Sequence, residues 1–151
     1  MLSSPPFRQQ AERWIHLFNN LGTGLNSGLY QSLAHPDIRF VDPFHDAQGQ
    51  HIVQEILWRF ASEVEDIHFQ VQEIAWANPQ RCYLHWQFSG KQQRLGLWQF
   101  AGITELEFDS QGLVVLHRDY WDAAEHCYMK VPLLGRVLRW LRERIAGRTE
   151  R

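Results

Sequence analysis

The sequence is poor in the features that announce a function. Of its 151 residues only Cys82 and Cys127 are cysteines, and no Cys-x-x-Cys spacing occurs. That excludes a disulfide framework and a thiolate zinc site, and points to two reduced, buried thiols. No apolar run approaches the roughly 20 residues that cross a bilayer. The start, Met1-Leu-Ser-Ser-Pro-Pro6, has neither a basic region nor an apolar stretch, so a cytoplasmic protein is expected. Gly-x-Gly-x-x-Gly, phosphate-loop and Gly-x-Ser-x-Gly elements are missing, which leaves nucleotide binding and serine-hydrolase chemistry unsupported and predicts no cofactor. Eight histidines are present, yet none form His-x-x-x-His, and the nearest set (His45, His51, His117 and Asp119) is scattered. No metal site is expected.

Large apolar side chains are abundant. Seven Trp, nine Phe and four Tyr, in a chain 44% hydrophobic and 21% charged, supply a core for one globular domain and exclude disorder over most of the length. The net charge of -2 conceals an asymmetry. Lys130 to Arg151 holds seven basic and two acidic residues, leaving eight basic against fifteen acidic in residues 1–129. An acidic body lacks the cationic face that nucleic acid requires, so no nucleic-acid partner is expected.

Periodicity organises the chain. Ala11, Trp14, Ile15, Phe18 and Leu21 form one helical stripe, ended by Gly22-Thr23-Gly24. Thr23 can cap a second short helix through Leu25, Leu29, Tyr30 and Leu33, before His35-Pro36-Asp37 breaks the chain. Residues 38–42 read as a strand closed by Pro43, residues 45–49 as a polar loop, and Ile52, Val53, Ile56, Leu57 and Phe60 as the stripe of a third helix. Ile67, Phe69 and Val71 alternate, and Ile74 and Trp76 continue in the opposite phase, predicting a bulge near Gln72-Glu73. Strands follow at residues 82–88, 96–108 and 113–122, with turns at Ser89-Gly90 and residues 109–112. Beyond them Leu133, Leu134, Val137, Leu138, Leu141 and Ile145 make an apolar stripe among Arg136, Arg139, Arg142, Arg144 and Arg148, with Pro132 in the first turn. Such a helix packs on its own domain or on a second subunit; contact with a membrane surface is the less favoured reading.

The order helix, helix, short strand ending in Phe40-Val-Asp-Pro43, helix and four-strand meander resembles the nuclear transport factor 2-like superfamily. That group includes ketosteroid isomerases, scytalone dehydratase and SnoaL-like polyketide cyclases. Gln48-Gly49 before the third helix and residues 107–112 before the last strand carry the likeness further, over about residues 8–122. Residues 117–122, running into residues 132–141, look like a bacterial SnoaL-like subgroup. The resemblance implies an α+β, cone-shaped, cystatin-like fold: three N-terminal helices packed on a strongly bent antiparallel sheet, with a C-terminal amphipathic helix. The expected division is a domain at 8–122 and a basic helical extension at 123–151.

For Asp42 the resemblance implies the place of the isomerase Asp that moves a proton beside a carbonyl. Trp14 and Thr104 stand where those isomerases carry the Tyr and the carboxylic acid of an oxyanion hole. An indole has no acceptor role and a hydroxyl is a weaker donor, so ketosteroid isomerisation itself is not expected. Strand alternation turns Thr104, Leu106 and Phe108 inward with Glu105 and Glu107 outward; on the last strand His117, Asp119 and Trp121 face in. A cone lined by Trp14, Phe18, Phe40, Trp86, Trp98, Thr104 and Trp121, with Asp42, His117 and Asp119 as its polar groups, suits a small hydrophobic ligand. As an enzyme it would perform isomerisation, dehydration or cyclisation without a cofactor, with Asp42 as base, His117 as acid or base, and Asp119 orienting His117. Two alternatives stay open: the aromatics are simply core while Asp42 caps a turn and His117 and Asp119 are a structural pair, or the chain is a non-catalytic module that dimerises or docks through the sheet face and C-terminal helix. A homodimer through the open sheet face is expected of the ligand-binding protein.

Overall fold

The computed structural model describes residues 4–147, which gather into two compact units divided between Trp121 and Asp122. In the first, α1 (Arg8–Asn19) forms because Ala11, Trp14, Leu17 and Phe18 recur every three or four residues, and all four are buried. The expected second helix is two helices, α2 (Leu21–Asn26) and α3 (Leu29–Leu33). Between them Gly28 adopts φ 83°, a conformation cheap only for glycine. Thr23 therefore lies inside α2 and caps nothing, and the chain bends one step earlier, at Asn20. Gly24 serves close packing: a Cβ there would meet Leu17 Cδ1 at 2.4 Å.

Strand β1 (Ala34–Asp42) leads into β2 (His45–Gln48), where the sequence reading expects a loop. The segment is polar because it is an edge strand, and it is pinned to β1 by Arg39, whose Nε and Nη2 donate to Asp46 Oδ1 and Oδ2 at 2.9 and 2.7 Å. After α4 (Gln50–Glu63) come β3 (Val64–Asn78), β4 (Arg81–Gln92), β5 (Gly96–Phe108) and β6 (Val114–Tyr120). The register shifts between Val71 and Glu73, the expected bulge. The turn expected at Ser89-Gly90 falls at residues 93–95 instead, and Gly90 stays in β4, where a Cβ would meet Val64 Cγ1 at 2.7 Å.

The sheet order is β2-β1-β6-β5-β4-β3. β1 and β6 run parallel and every other pair antiparallel. The sheet curls without closing, and the helices cover its concave face, where Trp14, Leu17, Tyr30, Ile38, Leu57 and Leu106 are among the most deeply buried side chains. Asn19, at the end of α1, reads the β3 backbone twice: its Nδ2 donates to the Phe69 carbonyl at 3.1 Å and its Oδ1 accepts from the Phe69 N–H at 2.7 Å. That clamp fixes α1 on β3.

The second unit holds α5 (Ala123–His126), capped by Asp122 through the Glu125 N–H, a 3-10 turn (Tyr128–Lys130) and α6 (Leu134–Ala146). Pro132 precedes α6 by two residues and so lies outside its first turn. Leu134, Val137, Leu141 and Ile145 form an exposed stripe on α6, beside Arg136, Arg139, Arg142 and Arg144; Arg148 lies outside the described residues. No described helix is long and apolar enough to cross a membrane.

Candidate functional site

Pairing across three strands assembles the polar centre. Thr104 on β5 stands opposite Asp119 on β6, and His117 on β6 stands opposite both Leu106 on β5 and Phe40 on β1. Trp14 reaches them from α1 and Trp86 from β4. The five side chains form one hydrogen-bonded chain: Trp14 Nε1 donates to His117 Nδ1 at 3.0 Å, His117 Nε2 meets Asp119 Oδ1 at 2.9 Å, Thr104 Oγ1 donates to the same oxygen at 2.5 Å, and Trp86 Nε1 donates to Thr104 Oγ1 at 2.8 Å.

The chain has a direction. An indole N–H only donates, so His117 Nδ1 must accept, the ring proton lies on Nε2, and Nε2–H donates to Asp119. An imidazolium would set two N–H groups against each other, so the neutral ring is the form that fits. Phe18 and Phe40 stack on that ring, each with centroids 4.9 Å away and interplanar angles of 12° and 21°. All four donors thus lead toward Asp119 Oδ1, while Oδ2 receives no hydrogen bond among the described residues.

Trp14, Phe18, Phe69, Trp86, His117 and Asp119 line a cavity with Ile15, Val71, Leu84 and Thr104. Its volume is about 20 Å³, against the roughly 10–15 Å³ that one water needs. The open cone of the sequence reading is therefore largely filled. Phe40 backs the imidazole and does not line the cavity. Trp98 and Trp121 also lie elsewhere: Trp121 stacks on Phe100 at 4.3 Å and meets Trp98 at 5.7 Å, so these rings pack on one another. Trp86 owes its place to Gly102, directly opposite on β5, where a Cβ would lie 2.3 Å from the indole.

Asp42 makes no hydrogen bond to His117 or Asp119 among the described residues. Its Oδ1 accepts from the N–H groups of Phe44 and His45 at 2.8 and 2.7 Å, and His45 Nδ1 lies 2.9 Å away. The carboxylate is occupied by the β1–β2 turn, and it does not line the cavity. Thr104, His117 and Asp119 are brought together as the alternation placed them, with Trp14, Phe18 and Trp86 around them. Ile15, Phe69, Val71 and Leu84 were not foreseen at the site. The inward phase of β3 carries Phe69 and Val71, but nothing in the sequence marks the Asn19 clamp that sets Phe69. Cys82 is fully buried, and burial pushes its thiol up to about 12, so it is a packing residue and no nucleophile. Among the described residues no three His, Cys, Asp or Glu side chains gather as metal ligands.

Residues 11–117 match a family model described as a SnoaL-like domain. No curated protein matches the chain. Solved structures do. A hypothetical protein with a ketosteroid isomerase-like fold from Catenulispora acidiphila, in complex with trimethylamine, is 16% identical with a TM-score of 0.67, covering 79% of this chain and 89% of that one. A candidate SnoaL-like polyketide cyclase from Jannaschia sp. is 14% identical, TM-score 0.67, over 83% and 93% of the two chains. An LEH-like epoxide hydrolase from M. tuberculosis is 17% identical, TM-score 0.64, over 91% and 93%. At these identities the likeness establishes the fold.

Proposed function

The chain belongs to the SnoaL-like domain family, and from that premise we propose that it binds a small, mostly apolar molecule beside Asp119 and takes a proton from it without a cofactor. One observation carries the reading: two donors, each held by an indole N–H, orient Asp119 Oδ1, while Oδ2 of this cavity-lining carboxylate receives no hydrogen bond among the described residues. A carboxylate fixed through one oxygen and open at the other is built as a proton acceptor. Asp119 is then the base, the role the resemblance gave to Asp42; His117 and Thr104 position it, and Trp14 sets the imidazole tautomer.

The wall offers no spare donor, since the Trp14, Trp86, Thr104 and His117 hydrogens are all engaged. An enolate oxygen would go unstabilised, which argues against steroid-type isomerisation. The test therefore uses a carbon acid that carries its own charge sink. Nitroethane loses its C–H proton to Oδ2 and holds the resulting charge on its nitro group. We expect the full-length protein to accelerate nitroethane deprotonation above the rate set by acetate at equal concentration, and Asp119→Asn to lose at least tenfold. Equal rates for the two proteins would sink the reading.

A second reading, a homodimerising module, is favoured by the outer sheet face, where Leu97, Ile103 and Tyr120 are exposed. Sedimentation velocity of the wild type against Ile103→Asp separates the two: a dimer that Ile103→Asp reduces to monomer supports the module, and a monomeric wild type removes it.

A further inference from the structure

What the cavity presents to a ligand is unusually one-sided. Its lining includes one residue with a fixed formal charge, Asp119, and no Lys or Arg. His117 adds no positive charge, because the Trp14 N–H at 3.0 Å holds Nδ1 as an acceptor. Every N–H and O–H in the polar centre is already donated: Trp14 to His117, His117 and Thr104 to Asp119, Trp86 to Thr104. A ligand therefore finds an acceptor and no donor. A carbonyl, a phosphate or a carboxylate would arrive unpaired and, if anionic, repelled.

The rest of the wall points the same way. Phe69 meets Phe18 and Trp86 edge to face, at 5.9 and 5.3 Å, and Trp14 lies 5.7 Å from Phe18. Four aromatic rings thus line the small space around one carboxylate. Aromatic faces attract cations through the ring quadrupole, and an N⁺–H donated to a carboxylate makes a hydrogen bond about twice as strong as a neutral one. Apolar walls also suit short alkyl groups. The volume of about 20 Å³ restricts the occupant to very few heavy atoms.

We infer that the cavity beside Asp119 is a site for a small alkylammonium ion, its N–H donated to Oδ2 and its alkyl groups held among Phe18, Phe69 and Trp86. The inference rests on the reading of this cavity as a ligand site. It narrows the ligand class from small and apolar to small, apolar and cationic, and it reads Asp119 as counter-ion as well as acceptor.

The test compares methylammonium chloride with methanol, its neutral counterpart of nearly equal shape. Each is titrated into ¹⁵N-labelled full-length protein at ionic strength held constant with sodium chloride. The readout is the pair of Trp14 and Trp86 Nε1–H resonances, which lie on the hydrogen-bonded chain, assigned with Trp14→Phe and Trp86→Phe. We expect saturable shifts with the ammonium at least tenfold tighter than the alcohol, and loss of that preference in Asp119→Asn. Equal affinities for ammonium and alcohol would overturn the inference while leaving the ligand site standing. Saturable binding of neither overturns both. The wild-type comparison decides the question even where Asp119→Asn fails to fold, and a folded Asp119→Asn that keeps the tenfold preference also refutes the assignment.

Discussion

Gly102→Ala isolates the contact that holds Trp86 in the site. Gly102 is not among the positive-φ glycines, so alanine is allowed by the backbone, and on that ground alone the change would stabilise by about 0.4–1 kcal/mol. The packing term opposes it. The new methyl would sit 2.3, 2.5 and 3.0 Å from three indole carbons of Trp86, where ordinary contact begins near 3.5 Å, so the ring must move by more than an ångström. Trp86 is 3% exposed and is hemmed by Phe69 at 5.3 Å and Phe100 at 5.9 Å, which leaves little slack. Overpacking a core costs about 1–3 kcal/mol, and loss of the 2.8 Å bond to Thr104 adds about 0.5–1.5 kcal/mol. The balance is a destabilisation of about 0.5–4 kcal/mol, whose middle corresponds to a fall of about 1 M in the urea midpoint. The Trp86 indole N–H signal should move upfield as its partner is lost, and nitroethane turnover should fall with it. A Gly102→Ala protein of unchanged or raised stability with an unmoved Trp86 signal would refute the argument that glycine is there to seat the indole.

Three further outcomes are expected. Long-range ¹H–¹⁵N correlation should show His117 neutral and protonated on Nε2 at pH 7; an Nδ1-protonated or doubly protonated ring would contradict the donor assignment from Trp14. Asp42→Ala should lower stability by about 1–2 kcal/mol through loss of the turn bonds to Phe44 and His45 while leaving the Trp14 and Trp86 indole signals in place; displaced indole signals would tie Asp42 to the site. Burial raises the Cys82 thiol to about 12, so above roughly pH 8.5 the unfolded chain sheds this proton before the folded one, and stability falls as pH rises toward 12. Urea midpoints at pH 8 and pH 10.5 should fall further in the wild type than in Cys82→Ala, and equal falls would show that the thiol is not held protonated by the fold.

The fold was legible wherever burial follows a period. The α1 stripe, the inward phase of Thr104, Leu106 and Phe108, and the bulge at Gln72-Glu73 all follow from counting threes and twos, because one buried face enforces one register. Legibility failed where a residue answers to a neighbour distant in sequence. Gly24 and Gly90 look like turn glycines, yet both sit within elements, against Leu17 and Val64. His45–Gln48 looks like a loop because an edge strand bonded through Arg39 and Asp46 needs no apolar face. At the site, alternation placed His117 and Asp119, but it said nothing of how full the hollow would be. That depended on Trp86 settling onto Gly102, and on Trp98 and Trp121 packing with Phe100 instead of lining a wall.

The same geometry sets the direction of the site's hydrogen bonds. At the position where the resemblance puts a tyrosine, a phenol able to give or take a hydrogen bond, this chain has Trp14, which only gives. That single restriction propagates. It fixes His117 as an Nε2–H tautomer and turns the imidazole toward the oxygen of Asp119 to which Thr104, itself held by Trp86, also donates, so none of these hydrogens is left for an incoming oxyanion. Thr104 completes the reversal, since it stands where the resemblance puts a donating carboxylic acid and here spends its proton on the neighbouring carboxylate. The four donors are thereby spent within the site, on the one carboxylate that lines the cavity.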